Sequence, residues 1–121
     1  MTIDDLPILD DAVIAELRES TGGEDDFVRE LVEAYVSEAT GYLEAMTAAA
    51  GAANPSAIVL PAHTLKSSSA TLGAMRLASI SRGIEEAGRA GRTDDLAVDV
   101  ERARATWAET LEALTAAGLT S

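Results

Sequence analysis

The chain has 121 residues, 47% of them hydrophobic, with a formal charge of −12 and no cysteine. That length and apolar content suit one domain, residues 1–121, whose core needs no disulfide or metal staple, and the lack of cysteine excludes a thiolate cluster and a cysteine nucleophile. So acidic a balance argues against nucleic acid or an anionic membrane surface as partner, because both require clustered Lys or Arg.

The start, Met1-Thr2-Ile3-Asp4-Asp5, has no basic segment followed by an apolar run. No later stretch approaches the roughly 18 apolar residues of a membrane span, so a soluble, cytoplasmic protein is expected. Asp10 and Asp11 can cap a short first helix carrying Val13, Ile14 and Leu17 on one side, which Gly22-Gly23 ends. Glu24, Asp25 and Asp26 then place negative charge at the start of a second helix, where the macrodipole favours it. Its apolar stripe is Phe27, Leu31, Tyr35, Ala39, Tyr42, Met46 and Ala49, widened by Val28, Val32, Val36 and Leu43.

Gly51-Ala52-Ala53-Asn54-Pro55 breaks the chain and caps a third helix with proline at its first position. Ile58, Ala62, Leu65, Ser69 and Leu72 form the inward stripe of that helix. His63 lies away from the stripe, beside Leu60, Ser67 and Ala70, and is expected to be exposed. Pro61 removes a backbone hydrogen bond, so a kink or a restart is expected just before His63. Gly73 closes this helix. A fourth runs from Met75 to Ala90 with Leu77, Ile80, Ile84 and Ala87 inward. Thr93-Asp94-Asp95 caps a fifth, with Leu96, Val100, Ala103, Trp107, Leu111 and Leu114 inward, and the Ala-rich tail from Ala116 to Ser121 is expected to fray. Trp107, Tyr35 and Tyr42 fall on inward stripes and are assigned to packing. No strand pattern competes, and the short connections give an all-α fold: an up-down-up-down antiparallel four-helix bundle with a short additional N-terminal helix.

Aspartate and glutamate crowd residues 4–44 and 85–112, whereas Ala45 to Ile84 holds none and carries Lys66, Arg76 and Arg82. Within this acid-free window lie the only histidine, His63, and the only lysine, Lys66, three residues apart on one helical surface. One exposed histidine provides at most one good metal ligand, so no metal site is expected. Ser67, Ser68 and Ser69 lack the acid and oxyanion context of a triad, and no Gly-rich phosphate loop is present. What remains is His63 as a nucleophile toward a group brought by a partner. On spacing alone, an ordinary surface histidine of a structural bundle is the simpler reading.

The run Ala62-His63-Thr64-Leu65-Lys66-Ser67-Ser68-Ser69-Ala70-Thr71-Leu72-Gly73-Ala74 resembles the AHxLKGxSxxLGA signature of histidine-containing phosphotransfer (HPt) domains, with Arg76-Leu77-Ala78 following as that family's RLA element. Leu9-Asp10, Gly22-Gly23 before a long helix with Phe27, and Ile84-Glu85 agree as well. The resemblance implies a phosphorelay intermediate without kinase activity of its own. In that reading His63 accepts a phosphoryl group from a receiver-domain phospho-aspartate and passes it to another receiver. Lys66, and also Arg82, would stabilise the phosphoryl oxygens, and Glu85 would hold the other ring nitrogen of His63. Val59, Leu60 and Ala70 would furnish docking surface. Ser67 stands where the family most often has glycine, and its hydroxyl could touch the phosphoryl group. The chain would be a monomer needing no cofactor of its own, with Mg²⁺ supplied in the partner receiver of a response regulator or hybrid kinase. The phosphoacceptor module of a chemotaxis-type kinase, or a receiver-binding scaffold without transfer, are the alternatives.

Overall fold

The computed structural model describes residues 2–23 and 25–120. Among the described residues a 3-10 turn, Ile3–Asp5, precedes five helices: α1 (Asp11–Ser20), α2 (Asp25–Gly51), α3 (Pro55–Thr71), α4 (Met75–Arg89) and α5 (Leu96–Ala116). No strand occurs among the described residues. Helices α2 to α5 form the expected antiparallel four-helix bundle, each packing on its two neighbours around the ring, and α1 adds to the side of α2.

Sequence-local signals set most of the helix ends. The Asp10 carboxylate accepts from the Ala12 N–H at 3.0 Å, and the Asn54 side chain caps α3 through Ala57, with Pro55 at the first position. Asp25 and Asp26 sit in the first turn of α2; Glu24 lies outside the described residues. Two ends depart from expectation. Asp95 adopts a left-handed conformation, φ 62°, and makes no side-chain cap hydrogen bond, because a capping carboxylate reaches the next turn only from an extended backbone. The tail does not fray at Ala116. Gly118 turns left-handed, the Leu119 N–H donates to the Leu114 carbonyl at 3.0 Å, and Leu119 is buried, so an apolar residue just past the helix holds the final turn against the core. Arg29 and Arg18 donate to the Gly118 and Ala117 carbonyls. Ser121 lies outside the described residues.

The core draws on every helix, and α2 contributes a different stripe from the expected one. Val28, Val32, Tyr35, Ala39, Leu43, Met46 and Ala49 are buried, while Phe27 and Leu31 are exposed. Apolar side chains occupy both 27/28 and 31/32, about 100° apart on the helix, and only packing against neighbouring helices selects which pair turns inward. Ser69 is polar on the inward stripe of α3, and it is satisfied there by the Tyr35 hydroxyl at 2.7 Å. Burial pushes Tyr35 up to about 12, and its ring meets Trp107 edge-on at 5.3 Å, tying α2, α3 and α5 together.

Helix α3 runs unbroken through Pro61, without the expected restart. Proline deprives only the Ala57 carbonyl of its helical donor, and Ala57 lies on the exposed face where water can serve it. Two glycines allow close approach. Gly73 takes φ +83° in the α3–α4 turn, with its carbonyl accepting from the Asp10 N–H at 2.8 Å. Gly88 carries the tighter contact: a Cβ there would lie 2.7 Å from Ile58 Cγ2 and 2.8 Å from the Pro55 carbonyl oxygen, so glycine sets the separation of α3 and α4. Gly88→Ala is expected to destabilise the fold by about 1–3 kcal/mol, the cost of overpacking, read as a lower urea midpoint.

Candidate functional site

His63 lies on the outer face of α3, its side chain 49% exposed, because Ile58, Ala62, Leu65 and Ser69 orient the opposite face inward. On α4, Ile84 and Ala87 point into the core, and Glu85 sits at the border of that buried face, directed toward α3. The Glu85 side chain is 7% exposed, and a carboxylate so enclosed requires partners. It has three. Its Oε2 lies 2.9 Å from His63 Nδ1. Lys66 Nζ donates to Oε1 at 2.7 Å. Arg89 donates to Oε2 through Nε at 3.1 Å and Nη2 at 2.8 Å.

Hydrogen bonds from Lys66 and then Arg89 outweigh the opposing effect of burial and hold Glu85 down to about 2, with His63 adding in the same direction. At neutral pH the carboxylate is therefore ionised and can only accept. In the neutral imidazole, Nδ1 then carries the proton and Nε2 keeps its lone pair. Nε2 makes no hydrogen bond among the described residues, so the site presents a half-exposed ring with one nitrogen anchored and the other open.

The structure thus brings His63, Lys66 and Glu85 together. The other sequence-derived positions surround them. Leu60 is 73% exposed one turn before His63, Ser67 and Ala70 are exposed one and two turns after it, and Val59 is half-buried against Gly88. The Ser67 hydroxyl makes no hydrogen bond among the described residues. Arg82 does not reach Glu85. Its guanidinium pairs with Glu86 at 3.4 Å, and it lines a shallow hollow of about 240 Å³ with Lys66, Leu6, Met75, Ala78 and Ser79. Arg89 fills the place on Glu85 that a second cation would take. The signal for it was the i,i+4 spacing of Glu85 and Arg89 on one helix.

The acid-free window is not acid-free in space. Lys66 is paired with Glu85, Arg82 with Glu86, and Arg76 approaches Glu109 at 3.8 Å while donating to the Leu6 and Asp4 carbonyls. Its three cations are thus paired with carboxylates of α4 and α5. Among the described residues no group of three or more His, Asp or Glu side chains is placed to hold a metal ion, and no helix is long and apolar enough to cross a membrane.

The family model for the Hpt domain matches residues 30–117, a span that takes in His63 and all of its partners. The chain belongs to the Hpt family. The crystal structure of histidine-containing phosphotransfer protein B (HptB) from Pseudomonas aeruginosa PAO1 is similar, with a TM-score of 0.79 and 29% identity over 86% of this chain and 88% of that one. No curated protein matches. This Hpt chain accordingly has a histidine phosphotransfer role in two-component signalling, in which Hpt domains carry phosphoryl groups and engage receiver domains. Helix α1 and the 3-10 turn precede the matched span of the Hpt bundle.

The lowered pKa of Glu85 has a sign that can be tested. Because its folded value lies below the ordinary 4.5, its stabilising contribution is complete above that value and is lost as pH falls toward about 2. Between about pH 5 and pH 2, the melting temperature of the wild type should therefore fall more steeply than that of Glu85→Gln, and the two curves should converge in acid.

Proposed function

We propose that His63 is the phosphoacceptor, taking a phosphoryl group from the phospho-aspartate of one receiver domain and passing it to the aspartate of another. The observation that carries this reading is the anchoring of Nδ1 by the ionised Glu85, within the family motif, which leaves Nε2 open. The Nε2 lone pair attacks phosphorus in line with the aspartyl oxygen, the P–O bond breaks, and its electron pair stays on the departing carboxylate. No proton has to move. The ring retains Nδ1–H and becomes a phosphorylated imidazolium whose positive charge lies against Glu85. On the return step neutral imidazole leaves, which is a far better leaving group than imidazolate.

Lys66 stabilises the phosphoryl oxygens, and Mg²⁺ in the receiver neutralises the rest of their charge. Leu60, with Val59 and Ala70, offers apolar contact beside the nucleophile, Ser67 lies one turn beyond it, and Arg82 gives a peripheral cation. The chain acts in the cytoplasm as a monomer, without kinase activity, and serves receivers of response regulators or hybrid kinases. HptB is named a histidine-containing phosphotransfer protein, and the likeness supports the same chemistry for this chain.

Incubation with a labelled phospho-receiver should give acid-labile, alkali-stable label on the wild type and none on His63→Gln; equal labelling of both would sink the assignment. Lys66→Ala should keep the fold, by circular dichroism, and slow transfer about tenfold or more, since a hydrogen bond to a charged group contributes roughly 1.5–3 kcal/mol.

A further inference from the structure

Lys66 is committed to Glu85 at 2.7 Å, yet the transfer chemistry needs the same ammonium on the phosphoryl oxygens. Removing a cation from a carboxylate that is 7% exposed would leave a buried charge underpaired. The division of hydrogen bonds at Glu85 resolves this conflict. Oε1 serves Lys66 alone, whereas Oε2 serves both His63 and Arg89. Loss of Lys66 therefore vacates one oxygen and leaves the other, which orients the imidazole, held by a guanidinium in two hydrogen bonds.

We propose that Arg89 is a positioning residue of the phosphotransfer site: by holding Glu85 at Oε2, it allows Lys66 to leave Oε1 for the phosphoryl oxygens while the Glu85–His63 link stays intact. The inference rests on the phosphotransfer reading above. Its charge balance is consistent at both stages. At rest, one carboxylate faces two cations and a neutral ring. After transfer, the phosphoryl dianion takes Lys66, and the carboxylate keeps Arg89 and the new imidazolium. The charged groups facing Glu85 are His63 and Lys66 from α3 and Arg89 from α4 itself; Arg82 is occupied with Glu86. Arg89 is the last residue of α4, where a cation also complements the helix dipole. Its side chain is 61% exposed, so it can be replaced without opening the core.

The sequence provides two isolated reporters, since His63 is the only histidine and Lys66 the only lysine. Protein labelled with ¹⁵N-histidine and ¹⁵N-lysine yields one imidazole and one side-chain ammonium to follow by NMR. Phosphoramidate serves as donor: Nε2 forms the new P–N bond, and ammonia leaves the zwitterionic reagent with the electron pair of the old one. In the wild type the Lys66 Nζ resonance should shift on phosphorylation while Nδ1 stays protonated and hydrogen-bonded. In Arg89→Gln the Lys66 shift should fall by more than half, and phosphoryl uptake should slow about three- to fivefold, the scale of one half-exposed ion pair. Arg89→Lys should recover part of both, and the Lys66 shift is the readout that a residue acting only in helix stability would not move. Wild-type Lys66 shift and rate in Arg89→Gln would overturn the inference and leave phosphotransfer standing. A wild-type protein that takes no phosphate on His63 would instead overturn the phosphotransfer reading, and this one with it.

Discussion

The site depends on one buried negative charge. A carboxylate withdrawn from water on a helical bundle must be matched by donors within hydrogen-bond reach, or it would be neutral or the fold would open. Glu85 is matched from both flanking directions, by α3 through His63 and Lys66 and by its own helix through Arg89. This couples folding to chemistry. The same contacts that keep Glu85 ionised select the Nδ1–H form of the neutral ring, and with it the nitrogen left open. The helix separation set by Gly88 belongs to the same constraint, because Glu85 lies one turn before it and reaches His63 only if α4 approaches α3 closely.

Around this charge, the molecule keeps the face that carries His63 simple. The core side of α3 is held by Ile58, Ala62 and Leu65, with Ser69 locked to Tyr35, so the rotation of the helix and the outward direction of His63 are determined from behind. The outer face then carries small or apolar side chains at Leu60, Ser67 and Ala70, with little to obstruct a partner. Electrostatic attraction to an acidic partner is weaker there than a run of sequence without aspartate or glutamate suggests, since carboxylates of α4 and α5 beyond that run pair with its cations. Apolar surface and local cations near His63 are therefore more prominent than a broad positive field.

By itself, the sequence determined the features that depend on neighbours three or four residues apart. Five helices, most of their breaks, the bundle class and the Hpt family were legible because amphipathic periodicity, prolines, glycines and a contiguous motif are all local. The exposure of His63 was legible for the same reason. Tertiary structure decided whatever required a choice between equivalent local options or a partner far along the chain. It turned Val28 and Val32 inward in place of Phe27 and Leu31, carried α3 unbroken through Pro61, placed Asp95 in a conformation that cannot cap, and ordered the tail by burying Leu119. It also brought Glu85 of α4 to His63 and Lys66 of α3, and Arg76 to Glu109 of α5. The physical reason is common to all of these. A side chain's face follows from its own helix, but its partners follow from the distance and rotation between helices, which are settled only when the whole core packs.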